Sequence, residues 1–180
     1  MADEKLKGAH VVGLSLGGLV AMQLGLDHTP LVRSLTIVNA FSRVRFELRS
    51  GVHSVGRLML LLFGKMEWLG AWVASALFPK EGQEALREMA AQRIAANPRR
   101  SYLQAVVAVA RFNLDGCVHE LGCPVLIVSG EQDRIVPMRL KRSLAVSMPE
   151  AEFEAIPMSG HVTPVDASER FNQLLLEFIK

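Results

Sequence analysis

Cysteine is scarce: Cys117 and Cys123 are the only two among 180 residues. Neither lies in a CxxC pair, and no second cluster could complete a metal site. That argues against a zinc module, a disulfide between the two is possible but unsupported, and no metal or other cofactor is expected. Cys123 precedes Pro124 and a strand-like run, which reads as a buried thiol. Long apolar runs are also missing. The most apolar stretch, 58–63, is interrupted by Gly64-Lys65-Met66-Glu67 and is too short to span a bilayer. Residues 1–10 are mostly charged or polar and lack the apolar segment of a secretory signal. The expectation is a cytoplasmic protein without a membrane partner. A surplus of charge is absent as well. Twenty Lys and Arg against eighteen Asp and Glu leave a formal net charge of +2, too little to argue for nucleic acid. Arg99-Arg100 and Lys141-Arg142 read as solvated helix positions rather than a phosphate-binding patch. Charged residues are 21% and hydrophobic residues 50%, which excludes a disordered chain.

What is present begins at the front. Gly13-Leu14-Ser15-Leu16-Gly17 follows the apolar run His10-Val11-Val12 and precedes a helical pattern over 16–26. Strand, Gly-flanked turn and helix form the context that exposes a nucleophilic serine. The alternative is that Ser15 merely caps the helix. Asp27-His28-Thr29-Pro30 stops that helix. Residues 32–38 form the next strand, and such continuous β-branched runs suit a parallel sheet covered on both faces. The span 42–113 contains no clear strand. Helical patterns cover 55–63, 68–77, 83–95 and 99–112, with Pro79 and Pro98 as punctuation. An all-helical insert of that length inside an α/β frame reads as a lid or cap. The α/β pattern resumes with a strand at 124–130, a helix at 138–146, a strand at 151–156 and a helix at 167–179. The core is therefore expected to comprise residues 1–41 and 114–180, with residues 42–113 as a helical cap between them.

A serine hydroxyl needs a base within reach and a third group to orient that base. Two further segments supply candidates. Asp133, in Gly130-Glu131-Gln132-Asp133, follows the strand at 124–130, where open α/β sheets place their ligands. Glu131 is the rival acid, and an Asp in such a turn is also ordinary turn chemistry. His161 follows the last strand. The chain order Ser15, Asp133, His161 is that of one of the three known serine arrangements. His10, His28 and His119 carry no expected role. His53 lies in the cap. Trp68, Trp72 and Met59 read more simply as packing than as a substrate cavity.

With these residues in place, the chain resembles the α/β-hydrolase superfamily, above all small enol-lactonase-like and haloperoxidase-like esterases. The match rests on the segment from His10 to Gly18, on Arg33-Ser34-Leu35-Thr36-Ile37-Val38-Asn39, on 124–137 and on Gly160-His161. The resemblance implies the carboxyl-terminal half of such a sheet, about four mostly parallel strands with helices on both faces. It implies Ser15 as nucleophile, His161 as base, Asp133 as its orienting acid and the Leu16 N–H as one oxyanion donor. It also implies a small-molecule acyl substrate. The amino-terminal half-sheet and the second oxyanion donor would not be encoded. The strand at 10–14 would then be an exposed edge, open to self-association or a partner. Loss of an oxyanion donor costs about a hundredfold or more, so weak or no activity is expected of the isolated chain. The alternatives are a C–C bond hydrolase or cofactor-free perhydrolase using the same three residues, and an inactive fragment or interaction module.

Overall fold

The computed structural model describes residues 8–44, 61 and 64–180. Its internal packing divides the chain into two units, residues 1–43 with 113–180, and residues 44–112.

In the first unit, β1 (Ala9–Leu14) leads through a single residue into α1 (Leu16–Asp27). β2 (Val32–Val38) follows a short turn of 3-10 helix that Pro30 helps to start. β3 is Val125–Gly130 and β4 is Glu152–Ile156. The four strands pair in the order β1-β2-β3-β4, and every pairing is parallel. The alternation of side chains gives the sheet two apolar faces. Val38, Leu126, Val128 and Ile156 meet Phe171 and Leu174 on one face. On the other, Leu35 and Ile37 lie against Gly25 and Gly18 of α1. Such two-sided burial explains why β2 and β3 are nearly continuous apolar runs. β1 differs. Among the described residues it pairs with β2 alone, and Val12 is exposed.

Helix α5 (Met138–Val146) connects β3 to β4. Its Lys141 is buried completely, which corrects the reading of Lys141-Arg142 as a solvated pair; Arg142 is exposed. After β4 the chain forms a four-residue helix, α6 (Thr163–Asp166), and then α7 (Ser168–Phe178). Pro164 fixes the start of α6, and Ala167, at φ −142° and ψ 50°, separates it from α7. Cys117 and Cys123 are free, exposed and half-buried respectively, so Cys123 is less enclosed than its apolar context suggests.

The second unit contains α2 (Met66–Leu77), α3 (Glu84–Ala95) and α4 (Arg99–Arg111). α2 and α3 approach so closely that a Cβ at Gly70 would lie 2.5 Å from the Ala91 carbonyl oxygen. Leu61, Leu69 and Val73 form the centre of its core, with Trp72 packed against them. Trp68 is 58% exposed, and the Lys65 ammonium lies 5.7 Å from its ring centre. Arg87 donates to the carbonyls of Phe78 and Lys80, closing the turn after α2. The helix expected over 55–63, with His53 and Met59, lies outside the described residues apart from Leu61. No helix among the described residues is long and apolar enough to cross a membrane.

Candidate active site

The parallel sheet brings four chain segments to one edge. Leu14 is aligned with Val38, and Val38 with Val128. The ladder then runs one step further at each strand end. Ser15 N–H donates to the Val38 carbonyl at 2.8 Å, Asn39 N–H to Val128 at 3.0 Å and Glu131 N–H to Ile156 at 3.1 Å. Ser15, Asn39, the turn at 130–133 and the loop at 159–161 therefore all follow the carboxyl ends of neighbouring strands, where this architecture places its ligands.

Ser15 has φ 54° and ψ −118°, a backbone conformation that L-residues rarely adopt. Such a strained turn between strand and helix lifts a side chain off the sheet edge. The turn is tight: a Cβ on Gly13 would lie 2.3 Å from the Gly17 carbonyl oxygen. Gly17 itself has nothing within 4 Å of its Cβ position among the described residues, so the sequence requirement falls on Gly13. Ser15 is the N-cap of α1, yet its side chain makes no capping hydrogen bond. That argues against capping as its purpose, because a capping serine uses its hydroxyl on the helix N–H groups.

Asp133 Oδ2 lies 2.9 Å from His161 Nδ1, and the two side chains are almost wholly buried. Asp133 Oδ1 accepts the N–H groups of Ile135 at 2.7 Å and Val136 at 3.0 Å. Burial by itself would raise the Asp133 carboxyl. The His161 hydrogen bond, the charges of His161 and Lys141 and the Val136 N–H outweigh it, and the carboxyl is held below its ordinary value. Glu131, the rival acid, is exposed. A Cβ on Gly130 would lie 2.2 Å from the Gly160 carbonyl oxygen, so the acid turn and the histidine loop touch backbone to backbone.

Three contributors escaped the sequence reading. Asn39, fully buried at φ 47°, donates to the carbonyls of Gly160 at 3.3 Å and His161 at 2.8 Å and to Thr163 Oγ1 at 2.7 Å. Its Oδ1 accepts the Gly130 N–H at 2.8 Å. Lys141 Nζ donates to Asp133 Oδ2 at 3.0 Å, Asn39 Oδ1 at 2.9 Å and the Gly130 carbonyl at 2.9 Å. Burial draws the Lys141 ammonium below its ordinary value, and Asp133 partly offsets that. Asp166 Oδ2 accepts the Gly160 N–H at 2.9 Å. An Asn just past an apolar strand was the one available signal, since Asn tolerates left-handed backbone. No group of three or more His, Cys, Asp or Glu side chains among the described residues could hold a metal ion.

The sequence pattern of the alpha/beta hydrolase family matches residues 2–174. A Caulobacter vibrioides protein provisionally named as the carbamate hydrolase RutD is 32% identical over 193 residues, covering 100% of this chain and 71% of its own length. The enol-lactonase of Burkholderia xenovorans LB400 superposes with a TM-score of 0.84 at 20% identity, covering 97% of this chain and 66% of that one. A meta-cleavage product hydrolase from Pseudomonas fluorescens IP01 gives 0.77 at 20% identity, covering 97% and 65%. At such identities these structures show a shared fold. This chain thus spans about two thirds of the length of its relatives, and by the extent of the match it belongs to the alpha/beta hydrolase family.

Proposed function

We propose that the chain carries the reacting groups of a serine hydrolase acting on a carboxylic ester, lactone or similar acyl bond. The observation that carries this reading is the Asp133–His161 contact of 2.9 Å at the same sheet edge as the strained Ser15. With Nδ1 engaged by Asp133, His161 Nε2 is the nitrogen left to act as base. Ser15 Oγ attacks the substrate carbonyl carbon and its proton passes to His161. The tetrahedral intermediate collapses, and the leaving group takes that proton as the acyl–oxygen bond to Ser15 remains. Water, deprotonated by His161, then attacks and releases the acid, returning the proton to Ser15. The Leu16 N–H, at the start of α1, is assigned to the developing oxyanion, where the helix dipole would help it. The names of the carbamate hydrolase and the enol-lactonase both refer to an acyl group bonded to a heteroatom, which supports that substrate class.

A fluorophosphonate probe tests this reading directly, because it reports an activated serine even where turnover is slow. Labelling is expected on the peptide containing Ser15, and Ser15→Ala abolishes it. Labelling elsewhere rejects the assignment to Ser15, and no labelling in a folded chain rejects it in favour of a non-catalytic role. C–C bond hydrolysis or perhydrolysis would use the same three residues, and substrate profiling separates them from ester hydrolysis.

A further inference from the structure

We propose that Lys141 is a positioning residue of this site: its buried ammonium fixes the Asp133 carboxylate and partly cancels the negative charge that His161 meets there. The proposal rests on the hydrolase reading above. Lysine is almost never fully buried without a partner. Lys141 is 0% exposed and has three, so every N–H of the ammonium has an acceptor. An apolar side chain of similar volume would fill the same space in α5 without the desolvation cost. The placement of the charge therefore calls for a reason. Lys141 and His161 share one oxygen, Oδ2, while Oδ1 is occupied by the N–H groups of Ile135 and Val136. The carboxylate is thereby held with Oδ2 towards the imidazole and cannot turn without breaking several hydrogen bonds.

The charge has a second effect. Asp133 and Lys141 together sum to zero while His161 is neutral. When His161 takes a proton, the cluster becomes positive. Without Lys141, the imidazolium would face an uncompensated carboxylate and be favoured more strongly. Around this group, α5 contributes Lys141 and the residue after β2 the neutral Asn39. The acid turn contributes Asp133, with Glu131 and Arg134 exposed to solvent. From the histidine loop and α6 come His161 and Asp166, the latter turned onto the Gly160 N–H. No charged side chain lies in the stretch 13–19 at the serine turn.

The test is the pH dependence of fluorophosphonate labelling at Ser15 in wild type, Lys141→Met and Lys141→Arg. In wild type the rate rises with pH along an acid limb. Lys141→Met is expected to move the midpoint of that limb upward by about one pH unit, and Lys141→Arg, which keeps the charge, to leave it near the wild-type position. A folded Lys141→Met chain whose profile overlays wild type overturns the role given to Lys141. Should that variant not fold, the 15N shift of Lys141 in wild type decides. A charged ammonium throughout the acid limb is expected, and a neutral amine there overturns the proposal. A folded wild-type chain that is never labelled at Ser15 overturns instead the hydrolase reading on which the proposal stands.

Discussion

Asn39 uses both ends of one side-chain amide to join β2, β3, α5 and the histidine loop. Its N–H groups serve two main-chain carbonyls and a hydroxyl, and its oxygen serves an amide and an ammonium. Replacing it by alanine leaves buried partners without replacements. The expected cost of Asn39→Ala is about 2–4 kcal/mol, read as a fall in the urea midpoint, and fluorophosphonate labelling of Ser15 slows with it. A variant as stable as wild type would contradict this account. The same residue shows where sequence reasoning stops. Ser15, Asp133 and His161 are legible as candidates because the proposed chemistry would demand particular residue types at strand ends. Asn39 and Lys141 are not, because nothing in a single letter tells a buried, saturated lysine from a solvated one. Lys141 even stands beside Arg142, which is exposed, and the pair looks like ordinary surface.

At the scale of the element, the serine turn separates glycines by what surrounds them. Gly13 has the Gly17 and Gly18 backbone in the space a Cβ would need, whereas Gly17 faces open space among the described residues. Gly13→Ala is therefore expected to cost about 3 kcal/mol or more. Gly17→Ala is expected to be neutral or to stabilise by up to about 1 kcal/mol through helix propensity. Thermal unfolding of both variants checks the contrast, and equal effects would refute it. The strands and the helices α1, α2, α3, α4 and α5 were readable from apolar runs and proline stops. The final two helices were harder. Periodicity over 167–179 shows α7, but α6 owes its existence to Pro164 and to the anchoring of Thr163 by Asn39, a contact between residues far apart in sequence.

At the scale of the whole molecule, the Asp133 cluster couples the fold to pH. A carboxyl held below its unfolded value of about 3.9 contributes stability that is fully present above that pH. The contribution is lost as pH falls through the lower folded value. Acid should therefore weaken the wild-type chain progressively below about pH 4. Asp133→Asn removes this contribution. Its unfolding free energy, measured from about pH 5 to pH 2, is expected to be lower at the start and to fall less steeply. Parallel slopes would show that Asp133 is not a principal acid-sensitive group.

The Asn39 contacts have a consequence in time. Its amide reaches carbonyls 121 and 122 positions further along the chain. Pairings so remote in sequence carry a loop-closure entropy cost that local contacts do not. During synthesis Ser15 leaves the ribosome long before His161 exists, and Asp133 is made between them. On the proposed assignment, the nascent chain displays Ser15 before the residues that would activate it have been made.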